Sequence, residues 1–216
     1  MMIFAPLGCL AAILLFLSIP LILVLFFLNL VSFSFGQLGL SPATTMALIL
    51  AMLAGSLINI PLTRRRVTYS FPATIRGLFA QPQYSGVALN VGGAVIPIAL
   101  SIYLVTRMPS VWQVLVATVV MAAVAKALAR VVPGRGVVLP VFVPPLVSAL
   151  LAVLLAPQFA APCAYVSGTM GTLIGADLLN AHRLRGFPGM LAIGGAGVFD
   201  GIFLVGIVAV LLTALV

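Results

Sequence analysis

The chain has 216 residues, 64% of them hydrophobic and 6% charged, with ten Lys and Arg against two Asp and Glu and a formal net charge of +8. A soluble domain carries about a quarter of its residues as Asp, Glu, Lys and Arg, so this composition excludes one and points to a polytopic membrane protein whose solvent is mostly lipid. The basic residues stand in short loops between apolar runs, which makes the positive charge a topology signal and excludes nucleic acid as the partner.

A spanning helix needs about 20 predominantly apolar residues, and about seven stretches qualify: 6–31, 42–62, 86–106, 110–130, 138–156, 162–182 and 191–216. The expected fold class is therefore all-α, a seven-helix bundle forming one transmembrane domain over 1–216 in the inner (plasma) membrane. The first stretch lacks a basic leader and exceeds the apolar core of a signal peptide, about 7–15 residues, so it reads as a retained anchor. Span two closes on Gly55-Ser56-Leu57-Ile58-Asn59. The loop after it mixes Arg64, Arg65, Arg66 and Arg76 with Tyr69, Phe71, Phe79 and Tyr84, the composition of an interfacial segment on anionic lipid. Its RVTYSF portion alternates as a strand does, a form that pairs with an extended peptide.

Span three opens on Val91-Gly92-Gly93-Ala94, and span five carries Pro140, Pro144 and Pro145, which predict a kinked or partly re-entrant segment. Span seven opens on Gly194-Gly195-Ala196-Gly197, a run poorly suited to helix, so its regular part is expected from about Gly197 onward. Lys126, Arg130 and Arg135 surround the end of span four, Arg183 and Arg185 follow span six, and Arg107 alone falls on the other side. This bias places the even-numbered loops and the N-terminus in the cytoplasm and the C-terminus outside. Cys9 and Cys163 then fall near opposite faces, too far apart for a disulfide. Two short echoes fit either a 3+1+3 repeat or chance likeness between segments of shared membrane composition. Gly55 to Asn59 echoes Ala176 to Asn180, and Val91 to Ala94 echoes Ile193 to Ala196, in units of the same orientation.

Asp177 and Asp200 are the two acids, and both lie in apolar, glycine-bearing stretches. A charge at the bilayer centre costs about 2.5–3.5 kcal/mol, so retained intramembrane carboxylates mark function. Asp177 sits about five residues before the cytoplasmic end of span six, about 7–8 Å deep at 1.5 Å per residue, and Asp200 starts span seven at similar depth. Small residues bring helices together, and Gly168, Gly171 and Gly175 on span six with Gly197 and Gly201 on span seven are expected to close that gap. Two carboxylates at hydrogen-bonding distance share one proton, and such a pair hydrolyses peptides as general acid and base without metal or cofactor. The same residues also suit a proton- or cation-coupled pathway, or a purely structural role as helix caps or partners of arginine. Asn59 and Asn180 read as hydrogen-bonding supports at helix ends, and His182 as an interfacial side chain with no second His or Cys near it to hold a metal.

Aspartates on consecutive spans across a cytoplasmic loop resemble the intramembrane aspartyl proteases, the presenilin, signal-peptide-peptidase and prepilin-peptidase group. That resemblance implies peptide-bond hydrolysis at Asp177 and Asp200, with a membrane-protein or peptide substrate in the lipid bilayer. Those families carry Gly-x-Gly-Asp. Here Gly197-Val198-Phe199-Asp200 keeps the first glycine and has Phe199 in place of the second, and nothing after span seven matches their Pro-Ala-Leu element. Over its whole length the chain resembles an uncharacterised family of bacterial and archaeal integral membrane proteins through INIP (58–61), NVGGAVIP (90–97), VFVPPL (141–146), IGADLLN (174–180) and GGAGVFDGIFL (194–204). That likeness implies a fold and no activity.

Overall fold

Local sequence signals start and stop most of the helices. In the computed structural model, which describes residues 4–63, 65–67, 83–132, 136–184, 189–195 and 200–216, seven α-helices run from α1 (Phe4–Gln37) to α7 (Gly201–Thr213). α1 closes through Gly39, at φ +77°, where a left-handed residue satisfies the last carbonyls. α2 (Pro42–Gly55) starts on Ser41, whose hydroxyl accepts from the Thr44 amide, with Pro42 at the first helical position. α3 (Ile96–Arg107), α4 (Val111–Leu128), α5 (Val143–Leu155) and α6 (Ala160–Thr172) complete the set.

Two helices, Ile13–Gln37 and Val111–Leu128, are long and apolar enough to cross a membrane, and a third crossing is available if Val143–Leu155 and Pro157–Arg183, bent by 118°, count as one span. Three shorter apolar stretches, Pro42–Gly55, Val91–Arg107 and Gly201–Thr213, fall below that length. The break next to span five lies at Ala156–Pro157. Pro144 and Pro145 sit in the first turn of α5, where a missing amide costs nothing.

The all-α expectation fails at the ends of the short helices. Strands β1 (Asn59–Pro61), β2 (Arg65–Val67), β3 (Gln83–Asn90) and β6 (Gly189–Ile193) form one sheet, and β4 (Arg130–Val132) pairs with β5 (Gly136–Val138) as a separate hairpin. β3 is central. β1 and β2 lie antiparallel to it (Asn59 opposite Asn90, Arg65 opposite Ser85), and β6 pairs with it in parallel, Leu89 opposite Ile193. The predicted spans 42–62, 86–106 and 191–216 had absorbed these residues because an apolar strand and an apolar helix have the same composition. The RVTYSF segment enters the sheet through β2, and its remaining residues lie outside the described ones, as do Arg64, Arg76, Arg135 and Arg185.

The sheet lies where α2 and α6 end and α3 and α7 begin. Its close approach to the helices depends on missing side chains. A Cβ on Gly92, in the π turn Val91–Val95, would meet Met52 O and lie 2.5 Å from the Ser56 amide nitrogen. Gly194, at φ +71°, abuts the same turn, with Gly93 C and Ala94 N within 2.7 Å of a Cβ built there. Asn90 fastens this end. Buried, it accepts from Gly93 N (2.8 Å) and donates to Ser56 O (2.7 Å) and Asn59 Oδ1 (3.0 Å).

α6 is the axis of the bundle, buried continuously from Cys163 to Thr169 and packed against α3, α4, α5 and α7. Cys163 is a free thiol. Among the described side chains, α1 joins the body through its C-terminal part, by Val31 and Phe35 with Leu38 just beyond it, while Ile13 to Leu17 and Leu21 to Phe26 are exposed apolar surface suited to lipid.

Gly92→Ala and Gly194→Ala are each expected to lower stability by about 1–3 kcal/mol, as overpacking does. Gly36→Ala, in the last turn of α1 with no described residue within 4 Å of the added Cβ, is expected to be neutral or to stabilise by up to about 0.5–1 kcal/mol. Thermal unfolding of the purified variants in detergent checks the contrast.

Candidate functional site

Asp177 stands at the end of α6, where α winding gives way to a π turn, Leu173–Leu178. The Leu179 amide closes it on Ile174 O at 2.9 Å, five residues back. Two contacts hold the wider turn. Gly175 presses its bare Cα against α4, where an added Cβ would collide with Ala122 O and come within 2.8 Å of the Ala125 methyl. Buried Asn180 then donates to Gly175 O (3.2 Å) and Ala176 O (2.9 Å), the supporting role its sequence position suggested. π turns insert one residue into a helix and re-aim the side chains that follow, and here the re-aimed residue is the aspartate.

Asp200 stands at the start of α7 as its N-cap, with φ −74°, ψ 151° and Oδ2 accepting from the Ile202 amide at 3.1 Å. A carboxylate there satisfies an orphan amide and sits at the positive end of the helix dipole. The end of α6 and the start of α7 place the two carboxylates within electrostatic reach of one another, and both are partly buried. His182 is exposed on the short turn Ala181–Leu184, and no group of three His, Cys, Asp or Glu side chains among the described residues gathers as metal ligands.

The glycines work differently from the sequence expectation. Gly168 does face α7, with Val205 Cγ1 3.2 Å from a Cβ built there, but Gly171 and Gly175 face α4, through Met121 and Ala122. A Cβ built on Gly201 meets no described residue within 4 Å, and Gly197 lies outside the described residues. The α7 glycine that admits α6 is Gly206, where an added Cβ would meet Thr169 Oγ1 and the Tyr165 ring. Helical spacing selects a face and leaves open which neighbour covers it.

Sequence reading also missed Asn90 and a set of buried hydroxyls in the bundle. Tyr165, Thr169, Thr172 and Ser148 make no hydrogen bond to a described residue, and an unpaired buried hydroxyl costs about 1–3 kcal/mol. The spacing 165, 169, 172 on one helix was the available signal.

Asp200→Ala is expected to cost about 1 kcal/mol by loss of the cap, whereas Asp200→Asn, whose amide oxygen accepts the same bond, is expected to stay within about 0.5 kcal/mol of the parent. Unfolding midpoints in detergent at neutral pH check both, and equal losses in the two variants would remove the capping role.

Comparison with known proteins gives one family. A model described as protein of unknown function (DUF1614) matches residues 53–212, from the end of α2 through nearly all of α7. No curated protein and no solved structure matches the chain. All five motifs quoted from the sequence, and both aspartates, fall inside the matched region, while α1 falls outside it. The chain therefore belongs to the DUF1614 family of proteins of unknown function.

Proposed function

We propose that this protein is an intramembrane hydrolase of the aspartyl-protease type, with Asp177 and Asp200 as a dyad that shares one proton. The observation that carries the reading is that the only two acids in 216 residues stand within electrostatic reach of one another, one at the end of α6 and one at the start of α7. Composition gives no reason for two costly carboxylates to converge there, and mutual repulsion opposes it unless one is neutral. In the proposed reaction the ionised carboxylate removes a proton from water as its oxygen attacks the scissile carbonyl carbon. The neutral one donates to the carbonyl oxygen. Collapse of the tetrahedral diol breaks the C–N bond, and the amine leaves with a proton returned by the pair. Roles belong to the pair, since coupled acids titrate as a unit. The π turn at Asp177 and the cap at Asp200 support this reading by fixing both carboxylates on helix ends.

The proposed setting is the inner membrane, with seven passes, the N-terminus in the cytoplasm, the C-terminus outside, and the sheet and dyad toward the cytoplasm. Helices of 12 to 14 residues supply about 18–21 Å, and α2, close to β1, and α3, directly after the π turn, gain further length toward a hydrocarbon thickness of about 30 Å. Lys126, Arg130 and Arg183 at that end of the bundle, with Arg65 and Arg66 in the sheet, support the orientation.

Cleavage of a membrane-anchored reporter by the purified chain in liposomes is the test. Asp177→Asn and Asp200→Asn are each expected to reduce it by about 100-fold or more, the range of a lost acid or base. Activity that survives both changes excludes the dyad. Absence of cleavage together with a proton or cation flux abolished by either change would assign the carboxylates to transport.

A further inference from the structure

We propose that the inner face of α6 binds a file of internal water that reaches Asp177 from within the bundle. Tyr165, Thr169 and Thr172 follow at spacings of four and three, so their side chains share one face of the helix. The π turn beyond them closes over five residues and winds Asp177 back toward that face, from which α winding would have carried it away. From Tyr165 to Asp177 this face extends about 18 Å at 1.5 Å per residue, more than half of a hydrocarbon core of about 30 Å.

The hydroxyls along it are aimed into the helix interface. Tyr165 Oη, Thr169 Oγ1, Thr172 Oγ1 and, from α5, Ser148 Oγ are buried, and the Tyr165 and Thr169 hydroxyls face one another. Elsewhere in the protein, hydroxyls at helix interfaces turn back onto their own helix. Ser34 donates to Leu30 O (2.9 Å), Ser101 to Pro97 O (2.8 Å) and Thr118 to Val114 O (2.7 Å). Thr169 and Thr172 have carbonyls at the same spacing and leave them unused. Glycines provide the room they occupy. Gly206 gives space to Thr169 Oγ1 and the Tyr165 ring, and Gly168 gives space to Ser148 Oγ, 3.2 Å from a Cβ built there.

A fifth buried polar atom without a partner among the described residues is Gln113 Oε1 of α4. Met121 lies against Gly171 and Ala125 against Gly175, so the same offset sets Gln113 level with Cys163, on the side of α6 that faces α4. A row of buried polar atoms, each without a partner among the described residues, is what ordered water satisfies, with two to four bonds per molecule. The file is independent of the protease reading, and it gives Asp177 contact with water by a route separate from the sheet end of the bundle.

Radiolytic footprinting of the full chain in lipid nanodiscs tests it, because X-rays generate hydroxyl radicals from water bound beside a side chain. Tyr165 is expected to oxidise about tenfold faster than Phe203, an equally buried aromatic of α7. The double change Thr169→Val and Thr172→Val, which keeps shape and removes hydroxyls, is expected to cut the Tyr165 rate about threefold or more. If Gly206→Ala folds, it is expected to do the same by filling the space. Tyr165 oxidation no faster than that of Phe203, or unaffected by the valine pair, overturns the file. The measurement needs no turnover, so it succeeds or fails separately from the cleavage assay.

Discussion

The parallel pairing of β3 with β6 is the constraint on which the rest depends. Each strand leads through a glycine-bearing turn toward a helix, β3 into α3 and β6 toward α7, so five residue pairs from Ser85–Gly189 to Leu89–Ile193 bring the starts of both helices to one end of the bundle. Gly194 and the Gly92–Gly93 turn then meet without side chains between them. α6 ends at the same place. The junction that gathers Asp177 and Asp200 is thus set by backbone pairing between segments far apart in sequence, and the carboxylates are carried to it by the helices.

That separation explains what the sequence could and could not disclose. The two acids, the caps at Ser41 and Asp200, the supporting amide of Asn180, the unpaired Cys163 and the long apolar α1 are local facts, readable from a few neighbouring residues. The sheet is not local. Asn59 to Pro61, Gly86 to Leu89 and Gly189 to Ile193 are apolar enough to pass for helix ends, and their extended form follows from partners that no short window contains. The echo between Val91–Ala94 and Ile193–Ala196 pointed to a related pair of segments, but the strand register places Leu89, two residues earlier, opposite Ile193. Gly171 and Gly175 show the same limit at the level of packing. Their spacing identified a contact face, and only the fold decided that α4, with Met121 and Ala122, covers it.

Polar groups in this bundle follow two regimes. Asn90 and Asn180, each almost wholly buried, are occupied with backbone carbonyls and amides that strands and π turns leave open, so their desolvation is offset by bonds the fold needs. The hydroxyls of α6 and α5 face apolar neighbours and one another. Carboxylates, amides and hydroxyls therefore gather along α6, its flanks and the sheet end, while the exposed surface of α1 from Ile13 to Phe26 is almost wholly apolar. The site is a polar seam within a chain whose surface is made for hydrocarbon.

α1 meets that seam at one end. At 34 residues it is about 51 Å long, more than the roughly 30 Å of a hydrocarbon core. Its grip on the body is confined to its C-terminal part, where the Phe35 ring meets Phe203 edge-on with centroids 6.3 Å apart and Ser34 reaches Ile207 O. Phe203 lies one helical turn beyond Asp200. Any displacement of that end of α1 therefore bears first on the opening turns of α7, next to Asp200.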